Sequence, residues 1–192
     1  MKRIKWTTKS DGELLLALDA AGGDVPPALV RELVSRGERL APALLDRATD
    51  PTRWGAESFT RYVSAVHALN LLGALRVESV VDPLIGFALM HPDAPDFMFQ
   101  VPAVLGHLGE PALEPLLAAL SAELRDDAGT ILCLSLSSIA VRDPNLSRRI
   151  CAAVRGLLPH LDDPMTVLCC SRLLAELHDA ASLAVVRQVL AA

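Results

Sequence analysis

The sequence predicts an all-α protein: a right-handed α-solenoid of about five antiparallel helix pairs with an extra helix at the N-terminus. Of its 192 residues 52% are hydrophobic but only 4% aromatic, and Leu, Ala and Val, the residues of helix-on-helix packing, supply most of the apolar content. An apolar residue followed by a small one also recurs at steps of 33 to 35 residues, a period typical of helical repeats. These pairs are Leu72-Gly73, Leu105-Gly106, Ile139-Ala140 and Leu174-Ala175, with Val34-Ser35 as an earlier copy.

A second apolar anchor follows each pair after ten to twelve positions. The stretch from Leu105 to Leu117 shows the whole unit: a helix end, a tight turn at Gly109, and a new helix that opens with Pro111. We expect the small residues at 73, 106, 140 and 175 to let one helix approach the backbone of its neighbour closely. The second anchors are Leu44, Leu84, Leu116, Ile150 and Val186.

The helices follow from local signals. Residues 1–9 form a basic arm ahead of a single domain over 10–192, whose first helix begins with the capping box Ser10-x-x-Glu13 and ends at Gly22-Gly23. Residues 52–57 are the longest irregular link in the N-terminal half, and we expect a surface loop there. The other links are short, which makes consecutive helices antiparallel neighbours. The predicted repeat helices cover 26–36 and 38–48, 57–74 and 77–90, 95–108 and 110–124, 129–141 and 144–159, and 164–178 and 180–191.

Charge and hydropathy exclude several classes of function. No apolar run approaches the ~20 residues that span a bilayer, and no apolar segment follows the basic N-terminus as in a secretory signal. We therefore expect no membrane partner and a cytoplasmic location. The net charge is −5, and no lysine follows Lys9, so a nucleic-acid partner is disfavoured.

Two stretches carry a family resemblance. Residues 68–75 followed by Asp82-Pro83-Leu84-Ile85, and Leu105-Gly106 followed by Glu114-Pro115-Leu116-Leu117, resemble bacterial HEAT-like repeats of the phycobilin-lyase type over residues 26–191. The resemblance implies an armadillo-type scaffold whose second helices line a concave face.

Enzymes with HEAT-like folds need features that this chain lacks. Relatives resembling deoxyhypusine hydroxylase hold two irons through His-Glu pairs, and none of the five histidines precedes a glutamate. HEAT-like alkylpurine glycosylases need a basic, aromatic surface, whereas this chain is acidic. We therefore expect no catalytic residue, no metal and no cofactor.

The four cysteines, Cys133, Cys151, Cys169 and Cys170, lie in apolar helical stretches, and no Cys-x-x-Cys pair occurs. This pattern favours reduced, buried thiols, with a thiol switch or metal site as the alternative. We expect them to cluster where the last two repeats meet.

Aligning the repeats places acidic residues at matching positions of the second helices. This set is a candidate partner-binding ribbon for a basic segment, and Arg148 changes its sign in repeat four. In the alternative interpretation Glu78 and Glu110, like Glu38 of repeat one, simply occupy first turns, where the helix dipole favours an acid by roughly 0.3–1 kcal/mol. The candidate ribbon residues are Glu78, Asp82, Glu110 and Glu114.

A second candidate contact group is apolar. Phe87, Met90 and Phe97 gather around the link between repeats two and three, together with Met98 and Phe99. Adaptable apolar side chains suit protein interfaces, although the same residues can also fill the groove between repeats.

These observations predict a non-catalytic scaffold or adaptor that binds another protein, with an immunity or inhibitor protein as a special case and self-association left open. The alternative is a small-molecule enzyme or carrier, bilin-lyase-like, with its site in the concave groove.

Overall fold

The computed structural model describes residues 5–54, 59–91, 95–122 and 128–191, and for residues 95–98 it describes the backbone alone. Within these ranges the chain is all-helical and contains no strand, which confirms the predicted class. The helices are α1 (Asp11–Ala20), α2 (Pro27–Ser35), α3 (Ala41–Ala48), α4 (Pro51–Trp54), α5 (Phe59–Leu75), α6 (Val81–Met90), α7 (Pro95–Leu108), α8 (Glu110–Leu120), α9 (Ala128–Arg142), α10 (Pro144–Leu157), α11 (Pro164–Glu176) and α12 (Leu183–Leu190). Single 3-10 turns cover Trp6–Thr8, Gly37–Leu40, Glu78–Val80, Leu158–His160 and Ala180–Ser182.

The chain divides into two compact units, Met1–Val80 and Val81–Ala192. In the first unit α5 is the central helix and packs against α1, α2, α3 and α4. In the second unit α9 is central and packs against α7, α11, α10 and α8. Each unit therefore has one helix that packs against at least four others.

Local capping explains where the first helix begins. Ser10 accepts a hydrogen bond from the backbone N–H of Glu13, and the Glu13 carboxylate accepts one from the backbone N–H of Ser10, so the predicted capping box is confirmed. The basic arm is described from Lys5 onward, where a 3-10 turn packs against α2.

The predicted anchors are buried with two exceptions. Leu72, Leu105, Ile139 and Leu174 are buried, as are Leu44, Leu84, Leu116 and Ile150. In repeat one, however, Val34 is exposed and Leu33 is fully buried, so the anchor is one residue earlier than predicted. The last anchor, Val186, is only half-buried, and none of the residues of α12 is buried.

The predicted surface loop after α3 is wrong for residues 52–54. These residues belong to the short helix α4, where Trp54 is buried and its indole N–H donates to the Ala48 carbonyl at 2.7 Å. The Trp54 ring also packs edge-on against Tyr62, with 6.0 Å between ring centroids. Residues 55–57 of the predicted loop lie outside the described residues.

A polar cluster on Asp19 ties four helices of the first unit together. One carboxylate oxygen of Asp19 accepts from Arg53 at 3.3 Å and from the hydroxyl of Ser64, and the other accepts from Arg47 at 3.0 Å. These side chains belong to α1, α4, α5 and α3, and Ser64 is buried. The Asp19 carboxylate is therefore a shared acceptor for donors from three other helices.

The helices of the second unit form two rows. In one row α9 lies between α7 and α11, and in the other α8 lies between α6 and α10.

Two glycines set the spacing between the helices of the first row, α7, α9 and α11. A Cβ on Gly106 would lie 2.7 Å from Cβ of Ser138, and one on Gly129 would lie 2.2 Å from Oγ1 of Thr166. The close approach predicted at Gly106 is thus confirmed, whereas Ala175 is exposed and makes no such approach.

A residue with a positive φ angle recurs in four places at the turn after the first helix of a repeat. The φ angle is positive at Gly37 (67°), Arg76 (53°), Gly109 (72°) and His178 (55°). Such a left-handed residue ends a helix and reverses the chain direction. The turn predicted at Gly109 is therefore confirmed.

In repeat four Asp143 takes the place of the left-handed residue and is extended instead. Its carboxylate accepts from the backbone N–H of Asn145 at 3.0 Å. Because an extended residue with a carboxylate suits an N-cap, Asp143 begins α10 where the other repeats reverse through a positive φ.

The first prediction concerns the close approach at Gly106. Gly106→Ala should lower the free energy of unfolding by about 1–3 kcal/mol, because the new methyl group meets the backbone of Ser138. Gly156→Ala is the matched control: no atom lies within 4 Å of its Cβ position, so it should raise that free energy by up to about 1 kcal/mol. Urea denaturation measures the free energy of unfolding of both variants. Equal changes in the two variants would contradict the close approach at Gly106.

The second prediction concerns the left-handed turns. His178→Gly should raise the free energy of unfolding by roughly 0.5–1 kcal/mol, because glycine adopts a positive φ without the steric cost of a Cβ. Gly109→Ala should lower it by about 1 kcal/mol for the same reason. Thermal and urea denaturation of the two variants should show changes of opposite sign in the free energy of unfolding. A destabilised His178→Gly variant would contradict this account.

The third prediction concerns Asp19. Burial on its own would raise the pKa of Asp19, but hydrogen bonds from Arg47 and Ser64 and the charges of Arg47 and Arg53 outweigh it, so its pKa lies below the ordinary value. The stability that this carboxylate contributes is therefore present above about pH 4 and is lost as the pH falls through its lowered pKa.

Asp19→Asn should accordingly lower the free energy of unfolding at pH 7 by about 1–3 kcal/mol, and its difference from wild type should shrink at pH 3. Asp24→Asn, on an exposed loop residue, is the control. Urea denaturation at both pH values measures the effect, and an equal deficit at both would contradict a role for the charge.

Candidate interaction surface

The second row of the second unit presents a polar face built on apolar packing. In α10 the side chains of Leu146, Ile150 and Val154 are buried, while Arg148 and Arg149 are exposed. In α8 Leu113 and Leu116 are buried in the same way. Because the apolar side chains of each helix pack into the core, the charged residues between them are exposed to solvent.

Two glutamates of α8 bind one arginine of α10. Arg149 donates to Oε1 of Glu110 at 2.5 Å and to Oε1 of Glu114 at 3.0 Å. These hydrogen bonds raise the pKa of the Arg149 guanidinium above its ordinary value, with Glu110 making the larger contribution. The three side chains are exposed (50% for Arg149, 65% and 73% for the glutamates), so the cluster adds little to stability. We call Glu110, Glu114 and Arg149 the carboxylate clamp.

Asp82 lies on α6, the helix next to α8 in the same row, and is exposed. Among the ion pairs of the described residues none involves Asp82. Glu78 is exposed in the 3-10 turn at the end of the first unit. The row of α6, α8 and α10 therefore carries the exposed Asp82 in addition to the carboxylate clamp.

The sequence pattern predicted a sign change at Arg148, but the residue that reaches α8 is Arg149. The two are adjacent on a helix whose residues are about 100° apart around its axis. Arg149 directly precedes the buried anchor Ile150, and this adjacency was the one signal in the sequence that could have identified it.

The apolar candidate group separates into exposed and buried members. Phe87 is only 4% exposed and its ring lies 4.5 Å from that of His91, so it belongs to the core, which corrects its assignment to a partner contact. Met90, at the end of α6, is 71% exposed, and Phe99 on α7 is exposed as well. Phe97 falls within α7, and its side chain lies outside the described residues.

Two histidines within helices are bound to backbone carbonyls. Nε2 of His67 lies 2.9 Å from the Gly22 oxygen, and Nδ1 of His107 lies 2.7 Å from the Ala103 oxygen. Within the described ranges, no group of three or more His, Cys, Asp or Glu side chains has the arrangement of a metal site.

No protein-family model matches the chain, and no curated protein or solved structure is significantly similar to it. Among the helices in the described part of the chain, none combines the length and the apolar character that crossing a membrane requires. Function is therefore inferred from the surface residues.

Proposed function

We propose that this protein is a non-catalytic scaffold or adaptor that binds another protein, and that Asp82 and the carboxylate clamp receive a basic segment of that partner. The observation that carries the proposal is the clamp itself. Glu110 and Glu114 are one helical turn apart and already hold a guanidinium between them, at 2.5 and 3.0 Å. An immunity or inhibitor protein that neutralises a basic partner is a special case.

The chemistry of the clamp favours arginine in the partner. A guanidinium presents several N–H donors in a planar fork, so it can bridge two carboxylates. Arg149 occupies that position from within the chain, and it is itself half exposed. A partner arginine would therefore compete with Arg149 for Glu110 and Glu114, while Asp82 would attract a neighbouring cation.

The arrangement of helices supports a HEAT-like solenoid for this role. The second unit has two rows of helices, α7–α9–α11 and α6–α8–α10, joined by short turns. A row of second helices gives a partner segment an extended surface, which is how helical-repeat proteins bind. Met90, exposed at the end of α6, adds an adaptable apolar contact to this face.

The fourth prediction tests the proposed face. The tagged protein is purified from its native cell at physiological salt, and its eluate is analysed for protein partners and for small molecules. We expect a stoichiometric protein partner whose Kd rises by at least about tenfold for Asp82→Lys combined with Glu114→Lys, because the reversed charges repel its basic segment. Arg149→Ala should lower the Kd, because it frees both glutamates.

Glu176→Lys is the matched control, since Glu176 is also exposed and also pairs with an arginine, Arg172, but on α11. It should leave the Kd unchanged. A partner that binds wild type and the Asp82/Glu114 variant equally would rule out this face. A stoichiometric small molecule without a protein partner would instead favour the carrier alternative.

A further inference from the structure

Three of the four cysteines lie together between α9 and α11. The sulfur atoms of Cys133 and Cys170 are 3.6 Å apart, and both side chains are buried. Cys169 is half-buried, and its sulfur lies 3.3 Å from the hydroxyl of Thr130. The fourth, Cys151, is buried on α10. All four are free thiols.

We infer that Cys133 and Cys170 form a redox-active dithiol that hydrogen peroxide closes to a disulfide between α9 and α11. A disulfide requires about 2.05 Å between the sulfur atoms, so they must approach by only about 1.5 Å. Rotation of the two side chains about their Cα–Cβ bonds changes the distance between the sulfur atoms. The redox site lies in the other row of helices from the carboxylate clamp and is independent of it.

The helices are held at the required separation by a contact near the dithiol. Gly129 of α9 leaves no room for a Cβ against Thr166 of α11. Thr166 is itself fixed, because its backbone N–H and its hydroxyl both donate to the carboxylate of Asp163 at 2.6 Å. The Cys133–Cys170 contact is therefore supported by a rigid contact one to two helical turns away.

A small opening of about 50 Å³ reaches Cys133, one of the two cysteines of the dithiol. It is lined by Cys133, Cys169, Thr130, Arg172 and Glu176, together with Leu134, Ser137 and Leu173. An opening of this size holds a water molecule, and hydrogen peroxide is only slightly larger.

The reaction balances in two steps. The Cys133 thiolate attacks one peroxide oxygen and the O–O bond breaks, which leaves a sulfenic acid on Cys133. The departing hydroxide takes up the proton that the Cys133 thiol lost and becomes one water. The Cys170 sulfur then attacks the Cys133 sulfur, the S–S bond forms, the S–O bond breaks, and a second water leaves with the remaining thiol proton. Two thiols are oxidised by two electrons while one peroxide is reduced to two waters.

The surroundings of Cys133 make the first step slow. The hydrogen bond with Cys170 and burial both raise the pKa of the Cys133 thiol, so the reactive thiolate is scarce at neutral pH. We therefore expect the dithiol to respond to sustained oxidation, on a timescale of minutes to hours, and to react faster as the pH rises.

The fifth prediction is tested on the full-length protein. Treatment with hydrogen peroxide should reduce the number of free thiols from four to two, and dithiothreitol should restore all four. Trypsin cuts at arginines on either side of both cysteines, so the disulfide should join the peptides covering 126–142 and 156–172. The oxidised protein should melt roughly 5–10 °C above the reduced one, because the bond closes a loop of 37 residues.

Variants assign the pairing within the cluster. Cys169→Ser and Cys151→Ser should still lose two thiols, whereas Cys133→Ser and Cys170→Ser should not form the disulfide. Where a buried variant does not fold, fragmentation of the linked wild-type peptides distinguishes Cys170 from Cys169. A disulfide that contains Cys169 or Cys151, a disulfide between two copies of the chain, or four thiols that stay free would each overturn the inference.

Discussion

Close contact between helix backbones at α9 is the constraint on which the second unit depends. Gly106 lies against the backbone of Ser138, and Gly129 lies against Thr166, so α7 and α11 both approach α9 more closely than side chains would allow. This spacing brings Cys133 and Cys170 into contact. α9 also packs against α8 and α10, and so it positions the row of helices that carries the exposed charges. Both the proposed redox site and the proposed interaction face therefore depend on small residues that lie outside them.

The first unit is held together differently. Its central helix, α5, carries the buried hydroxyl of Ser64, which donates to Asp19 alongside two arginines. Such a cluster fixes one arrangement of the helices because every donor needs the same carboxylate. Removing that carboxylate destabilises the unit because it leaves several donors without an acceptor. The two units therefore differ in sensitivity: one depends on packing volume, the other on ionisation.

The surface charges on α8 and α10 contribute little to stability, and they are the groups to which we assign partner binding in the proposed function. Exposed ion pairs contribute little to folding, yet Glu110 and Glu114 lie where a guanidinium can bridge them. Arg149 reduces the net charge of this face, and in the proposed function a partner arginine competes with it for both glutamates. Phe87, in contrast, contributes to the core of α6 and leaves the apolar part of the face to Met90.

The sequence by itself determined which residues form helices and where most of those helices begin and end. The capping box at Ser10 and the turn at Gly109 depend on interactions within a few residues, so the sequence shows them directly. Only the tertiary structure decided that Leu33 is the anchor, that Arg149 meets α8 and that Cys133 meets Cys170. These outcomes depend on the rotation and spacing of helices that are far apart in the chain. Neighbouring residues of a helix point about 100° apart around its axis, so a shift of one residue replaces a buried side chain with an exposed one.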